Sequence, residues 1–200
     1  MTDRYDVLYK VVLVGDLGVG KTSILQRYKF GVFEENYKAT IGVDFTVQTL
    51  TIDNKTVKIW DTSGQERFKA MIPKFYRDAH AALIVFDVTN TESFEGVGKW
   101  LQDVNYFSGL RTTSLLLGNK CDLINERKVK LCDAQSFALR NDMLDVIETS
   151  AKENSNIDEA FLQLSKELLK REDYISLGSM RPSLTLDNSS PAESSWWGCC

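Results

Sequence analysis

Long hydrophobic runs are missing from this sequence. The longest apolar stretches, such as Ala79–Phe86, fall far short of the ~20 residues that a helix needs to cross a bilayer. No transmembrane helix is therefore expected. The first residues, Met1-Thr2-Asp3-Arg4-Tyr5-Asp6, hold no basic region followed by an apolar one, so no secretory signal is expected either. Basic charge is not in excess: 24 Lys and Arg stand against 28 Asp and Glu, a net charge of −4. That balance disfavours a nucleic-acid partner, because phosphate backbones are met by a basic face. Cysteine is scarce, with four in the chain, which excludes a disulfide scaffold. Cys121 and Cys132 read as isolated, reduced thiols, and a reducing cytosol is the expected compartment. His80 is the only histidine. With no second His or Cys beside it, it reads as a structural residue and not as a metal ligand.

What is present suits one soluble domain. The 200 residues are 43% hydrophobic and 26% charged, within the range of globular proteins. Leu8–Val14, Val57–Trp60, Ala81–Asp87, Ser114–Gly118 and Val146–Thr149 are short apolar runs that suit strands buried on both faces. Ile41, Val43, Phe45 and Val47 alternate with polar neighbours, as in a strand nearer a sheet edge. Helical stretches lie between them. Ile157, Phe161, Leu164 and Leu168 mark the last one, with Asn156 and Glu159 as an expected capping pair. Trp100, Leu101 and Val104 at helical spacing read as core. The alternation predicts an α/β fold, a mostly parallel sheet with helices on both faces. There is no internal repeat. After Arg171 Ser, Pro, Asp, Asn and Glu replace the periodic pattern, so residues 1–171 are expected to form the domain and 172–200 a flexible tail.

Gly15-Asp16-Leu17-Gly18-Val19-Gly20-Lys21-Thr22 matches G-x-x-x-x-G-K-[ST] and follows an apolar strand, the context a phosphate-binding loop requires. Glycines let backbone N–H groups converge on a polyphosphate, and the following helix, with Ser23 in its first turn, adds its positive end. Lys21 can reach β and γ oxygens, and the Thr22 hydroxyl can bind Mg²⁺. Asn119-Lys120-Cys121-Asp122 follows another apolar strand. A carboxylate such as Asp122 accepts two hydrogen bonds from guanine, whereas adenine offers it an unprotonated N1. Unpaired buried polar groups discriminate strongly. Four residues alone are a weak signal; set between the phosphate loop and Ser150-Ala151-Lys152, they become a strong one.

With these motifs together, residues 8–171 resemble the small GTPases of the Ras superfamily, and specifically the Rab family. The resemblance implies a P-loop NTPase-type, doubly wound, mostly parallel six-stranded sheet. It implies GTP or GDP as the bound nucleotide with Mg²⁺ as cofactor. Asn119, Lys120 and Asp122 would hold guanine, supported by Ser150, Ala151 and Lys152, with Phe33 against the base. Asp61-Thr62-Ser63-Gly64-Gln65 resembles the second switch: Asp61 on Mg²⁺ through water, the Gly64 N–H on the γ-phosphate, and Gln65 orienting the attacking water as the catalytic residue. Thr40 resembles the first-switch threonine, which completes the Mg²⁺ shell when GTP is bound. Loss of the γ-phosphate would release both loops.

Rab character rests on Ile41-Gly42-Val43-Asp44-Phe45, Lys58–Thr62 and Phe75–Ala79. The resemblance implies an effector surface of residues Ile41, Gly42, Val43, Asp44 and Phe45 with Trp60 and Tyr76, in which Phe45, Trp60 and Tyr76 form an aromatic cluster. It also implies an exchange factor, a GTPase-activating protein, effectors, an escort protein and a GDP-dissociation inhibitor as partners of a monomer. Trp196-Trp197-Gly198-Cys199-Cys200 resembles Rab endings in which both cysteines are geranylgeranylated. Two chains give stable attachment where one is marginal. Beyond Arg171, Arg181 faces Glu172, Asp173, Asp187 and Glu193, so no polybasic patch aids that attachment. A cytosolic protein cycling to an endomembrane is expected. Met71-Ile72-Pro73 before Lys74–Asp78 resembles Golgi-associated members, and an endosomal membrane is the other candidate. Ser63, in place of the usual alanine, and Leu17, in place of a small residue, depart from the pattern and bear on hydrolysis rate. A GTP-loaded, hydrolysis-poor binding module of the same fold is the alternative. A nucleotide kinase is disfavoured by Asn119–Asp122 and by the lack of an acceptor-substrate lid.

Overall fold

The computed structural model describes residues 9–35, 47–52, 55–61, 76–109 and 112–179. In chain order these form β1 (Lys10–Val14), α1 (Lys21–Phe30), β2 (Val47–Ile52), β3 (Lys55–Asp61), β4 (Ala81–Asp87), α2 (Thr91–Glu95), α3 (Val97–Ser108), β5 (Thr113–Asn119), α4 (Leu131–Arg140), β6 (Val146–Thr149) and α5 (Ile157–Ser179). One sheet holds all six strands in the order β2-β3-β1-β4-β5-β6. Only the β2–β3 pair is antiparallel.

The central strands show why the sequence folds this way. Every residue of β4 and of β5 is buried, as in parallel strands covered by helices on both faces. Alternate side chains then serve opposite layers. Leu13, Leu83, Val85 and Leu117 pack with Ile24 of α1 and Phe161 and Leu164 of α5. Val12, Ile84, Phe86 and Leu116 pack on the other face with Leu101 and Val104 of α3 and Ala134 of α4. This is the sheet with helices on both faces that the alternation predicted, and the doubly wound arrangement that the resemblance implied.

Several boundaries differ from expectation. The edge strand expected around Ile41–Val47 is described only from Val47, and it runs on to Ile52; residues 41–46 lie outside the described residues. The last helix does not stop at Arg171 but continues to Ser179, past the boundary the composition suggested; residues 180–200 lie outside the described residues. Glu, Leu, Lys and Arg are good helix formers, Glu167 lies 3.6 Å from Arg171 one turn on, and no glycine interrupts before Gly178. Asn156 holds the expected cap position, its carbonyl accepting the Ala160 N–H at 3.1 Å. It adopts φ 55°, however, where an N-cap is usually extended, and its side-chain amide donates to the Glu148 carbonyl at 2.8 Å, tying the start of α5 to β6.

His80 is structural, as its isolation implied: its Nδ1 accepts the Lys10 backbone N–H at 3.0 Å, and its ring meets Tyr9 edge-on. Among the described residues no helix is long and apolar enough to cross a membrane.

Candidate functional site

The carboxyl ends of β1, β4, β5 and β6 define the site. Parallel pairing sets Asp87 beside Asn119 and Asn119 beside Thr149, so the loops leaving β5 and β6 emerge next to one another. The loop 15–20 leaves β1 on the same edge. Its first glycine is required by contact as well as by conformation: Gly15 has φ 143°, and a Cβ there would lie 2.2 Å from the Val85 carbonyl oxygen. Gly18 and Gly20 adopt φ 82° and 96°, the left-handed region that favours glycine.

Lys21 opens α1, where the first N–H groups of a helix have no partner within it. Its side chain is only 5% exposed, and its ammonium donates to the carbonyls of Gly15 and Asp16, both at 2.7 Å. Those two bonds fold the loop back over the helix start. Thr22 and Ser23 follow in the first turn of α1. Val19 is buried, whereas Leu17 is 51% exposed, on the outside of the loop.

Asn119 joins this loop to the second half of the site. Its amide donates to the Val19 carbonyl at 2.8 Å, while its oxygen accepts from the Thr149 hydroxyl at 3.3 Å and the Ala151 N–H at 3.4 Å. A Cβ on Gly20 would fall 2.3 Å from the Asn119 nitrogen, so glycine is needed for this approach. Next in the loop, Asp122 accepts from the Ser150 hydroxyl at 2.7 Å, and that hydroxyl accepts from the Glu153 N–H. The carboxylate is thus held in one orientation. Among the described residues its second oxygen has no hydrogen-bond partner. Lys120 adopts φ 66° and pairs with Asp87 at 2.5 Å.

Between the two halves lies a cleft of about 430 Å³, running from Gly18, Gly20 and Ser23 to Phe33, Asp122 and Lys152. Asn119, Lys120 and Ala151 also line it, whereas Ser150 is fully buried and acts through Asp122. Cys121, the variable residue of its motif, is half-buried; burial, with Glu148 next in weight, pushes its thiol up from the usual range. A thiol shifted that way is a poor nucleophile.

Three contributors carry no sequence motif. Arg27 of α1 donates to the carbonyls of Ala151 at 2.8 Å and Lys152 at 3.0 Å, and its guanidinium lies 5.9 Å from the Phe33 ring centre. It therefore pins the Ser150-Ala151-Lys152 loop and Phe33 to the same helix. Asp87 is the anchor for Lys120. Trp100 donates its indole N–H to Asp16 at 2.7 Å, so it is not simply the core residue its spacing suggested.

The remaining expected residues divide into three groups. Thr40, Ile41, Gly42, Val43, Asp44, Phe45, Ser63, Gly64, Gln65, Cys199 and Cys200 lie outside the described residues. Asp61 and Trp60 are placed by backbone register: Asp61 stands opposite Leu13, at the end of β3 beside the start of the phosphate loop, and Trp60 stands opposite Val12. Tyr76 corrects an expectation. It is 2% exposed, its ring packs near Phe107, and burial raises its hydroxyl pKa, so it is a core side chain and not one presented to a partner.

Comparison with known proteins identifies the family. The model of the Ras family matches residues 10–170. "Ras-related protein Rab-19" from Homo sapiens is 44% identical over 190 residues, covering 94% of this chain and 88% of the relative. The Mus musculus protein of that name gives the same figures, and that of Xenopus laevis is 43% identical over 174 residues, 86% of this chain and 82% of the relative. Proteins of this family bind GTP or GDP with Mg²⁺, hydrolyse GTP, and switch membrane traffic. With the match spanning nearly all the described strands and helices, the chain belongs to the Ras family and is a Rab-type small GTPase.

Proposed function

We propose that this protein is a GTP/GDP switch on the cytosolic face of an endomembrane, loaded at the cleft described above and read by effectors in its GTP form. The observation that carries the reading is the joining of two sub-sites by Asn119: a buried Lys21 ammonium at a helix start, and an oriented Asp122 carboxylate across the cleft. The first suits a polyphosphate, and the second suits the N1–H and exocyclic amine of guanine. Lys120, Phe33, Ala151 and Lys152 flank the base, while Gly15–Thr22 with Ser23 surround the phosphates. The Mg²⁺ ligands proposed are Thr22, Thr40 and, through water, Asp61. That donor set is oxygen only, which fits a hard divalent cation, and the ion when bound neutralises charge on the phosphates. Gln65 is proposed to orient the attacking water, with the Gly64 N–H on the γ-phosphate. Residues 41–45 and Trp60 are proposed for effector contact.

Nucleotide extracted from the purified protein, followed by a single-turnover assay with GTP, tests this. Guanine nucleotide bound with Mg²⁺ and hydrolysed to GDP is the expected result; adenine nucleotide, or none, overturns the reading.

Leu17 favours one refinement. Its side chain projects from the loop that must admit Gln65 and an activating protein's arginine, yet the backbone N–H groups of the loop are unaffected by it. Weakening an interaction that forms only in the transition state lowers turnover and spares affinity. Intrinsic hydrolysis is therefore expected to be slow, and Leu17→Gly is expected to accelerate it about tenfold, a small part of the ~10³–10⁵ that an arginine finger supplies. Equal rates in the two proteins, with and without an activating protein, would show that the loop accommodates Leu17.

Cys199 and Cys200 are proposed to carry two prenyl groups. Since one chain binds only marginally, Cys199→Ser or Cys200→Ser is expected to raise the soluble fraction. The double variant should be recovered almost wholly in the soluble fraction after cell fractionation; retention on membranes would point to another anchor.

A further inference from the structure

We propose that Trp100 is a positioning residue of the nucleotide site, whose indole N–H holds the Asp16 carboxylate away from the phosphates. The inference rests on reading residues 15–22 as the phosphate loop. Asp16 places a negative charge inside a loop that must receive a polyanion, and like charges at close range cost affinity. Its side chain is nevertheless turned outward. Oδ1 accepts the Trp100 N–H at 2.7 Å, and the carboxylate sits over Gly96, where a Cβ would lie 3.0 Å from Oδ2 and 3.4 Å from Oδ1. Gly96 and Trp100 are one turn apart at the start of α3, so helix backbone and indole together form a seat for this one carboxylate. Among the described residues the indole gives the only hydrogen bond to it.

The other end of the same residue is equally constrained. The Asp16 carbonyl accepts from Lys21 at 2.7 Å, and Gly15 abuts Val85 of β4. Holding the side chain on α3 therefore fixes the carbonyl that aims the lysine. Trp100 thus ties α3 to the phosphate loop through a hydrogen bond, and the helix becomes part of the nucleotide site without touching nucleotide.

The test is a double-mutant cycle of Trp100→Phe and Asp16→Asn, with GDP and GTP dissociation constants measured at low and high salt. Trp100→Phe keeps the aromatic packing and loses the N–H. It is expected to weaken binding roughly tenfold at low salt, more for GTP than for GDP, and less at high salt because salt screens the repulsion. In the Asp16→Asn background the same change should alter affinity by less than about twofold, since the charge to be held is gone. Gly96→Ala supplies an independent check. Its added methyl crowds the carboxylate seat and leaves the indole in place, so it should reproduce the salt-dependent loss. An equal loss from Trp100→Phe in both backgrounds, with no salt dependence, would make Trp100 a packing residue and overturn the proposal. Failure of the unmodified protein to bind either nucleotide would instead overturn the phosphate-loop reading, and this inference with it.

Discussion

Asp122→Asn is expected to move the preference of this protein from guanosine to xanthosine nucleotides. Ser150 occupies one carboxylate oxygen at 2.7 Å, so the group cannot rotate freely to present a different atom to the cleft. Replacing the acid by an amide removes the charge and turns one acceptor into a donor. Hydrogen bonds to a charged group contribute about 1.5–3 kcal/mol, and a buried donor set against a donor adds a penalty. A loss of GTP affinity on the order of 10³-fold follows. Xanthine carries a carbonyl at C2 where guanine has its amine, so the new donor gains a partner there. Competition binding with GTP and XTP measures the change. A variant that keeps the original preference would remove Asp122 from the base site.

Lys21→Met should have the other large effect, at the opposite end of the cleft. The buried ammonium is held by two carbonyls at 2.7 Å, and methionine fills similar volume without donors or charge. With two of its three donors on those carbonyls, losing the remaining charge-assisted bond to phosphate at about 1.5–3 kcal/mol weakens nucleotide binding by roughly 10–10²-fold. The carbonyls of Gly15 and Asp16 also lose their donor, so the loop itself should loosen. Equilibrium binding of fluorescent GDP, with circular dichroism to check folding, separates the two consequences. Affinity within about threefold of the original would place the polyphosphate elsewhere.

Much of the fold and site is legible in the residues alone. The two-face burial of β4 and β5 follows from uninterrupted apolar runs, and both sub-sites carry motifs whose residue types have a direct chemical reason. The sequence is least informative where function depends on distant residues meeting. Arg27 and Trp100 sit in ordinary helical patterns, and nothing local says that one will reach Ala151 and the other Asp16. Tyr76 misleads in the reverse direction: an aromatic in a Rab-like segment points to a surface role, yet the sheet and α3 bury it against Phe107. The end of α5 is misplaced for a simpler reason. Composition changes at residue 172, but helix formation depends on propensity, and no breaker appears until Gly178.

The position of Asn119 has a kinetic consequence. One side chain holds the Val19 carbonyl on one side and Thr149 with Ala151 on the other, so a nucleotide in the proposed site would be gripped at both ends by a single hydrogen-bonded unit. An exchange factor acting on the proposed site would not need to pry at both ends: displacing residues 15–20 would pull on Asn119, and through it on the loop proposed to grip the base. Release from the proposed site would then be one cooperative opening at the edge of the sheet, with the Asn119 amide as the link between its two halves.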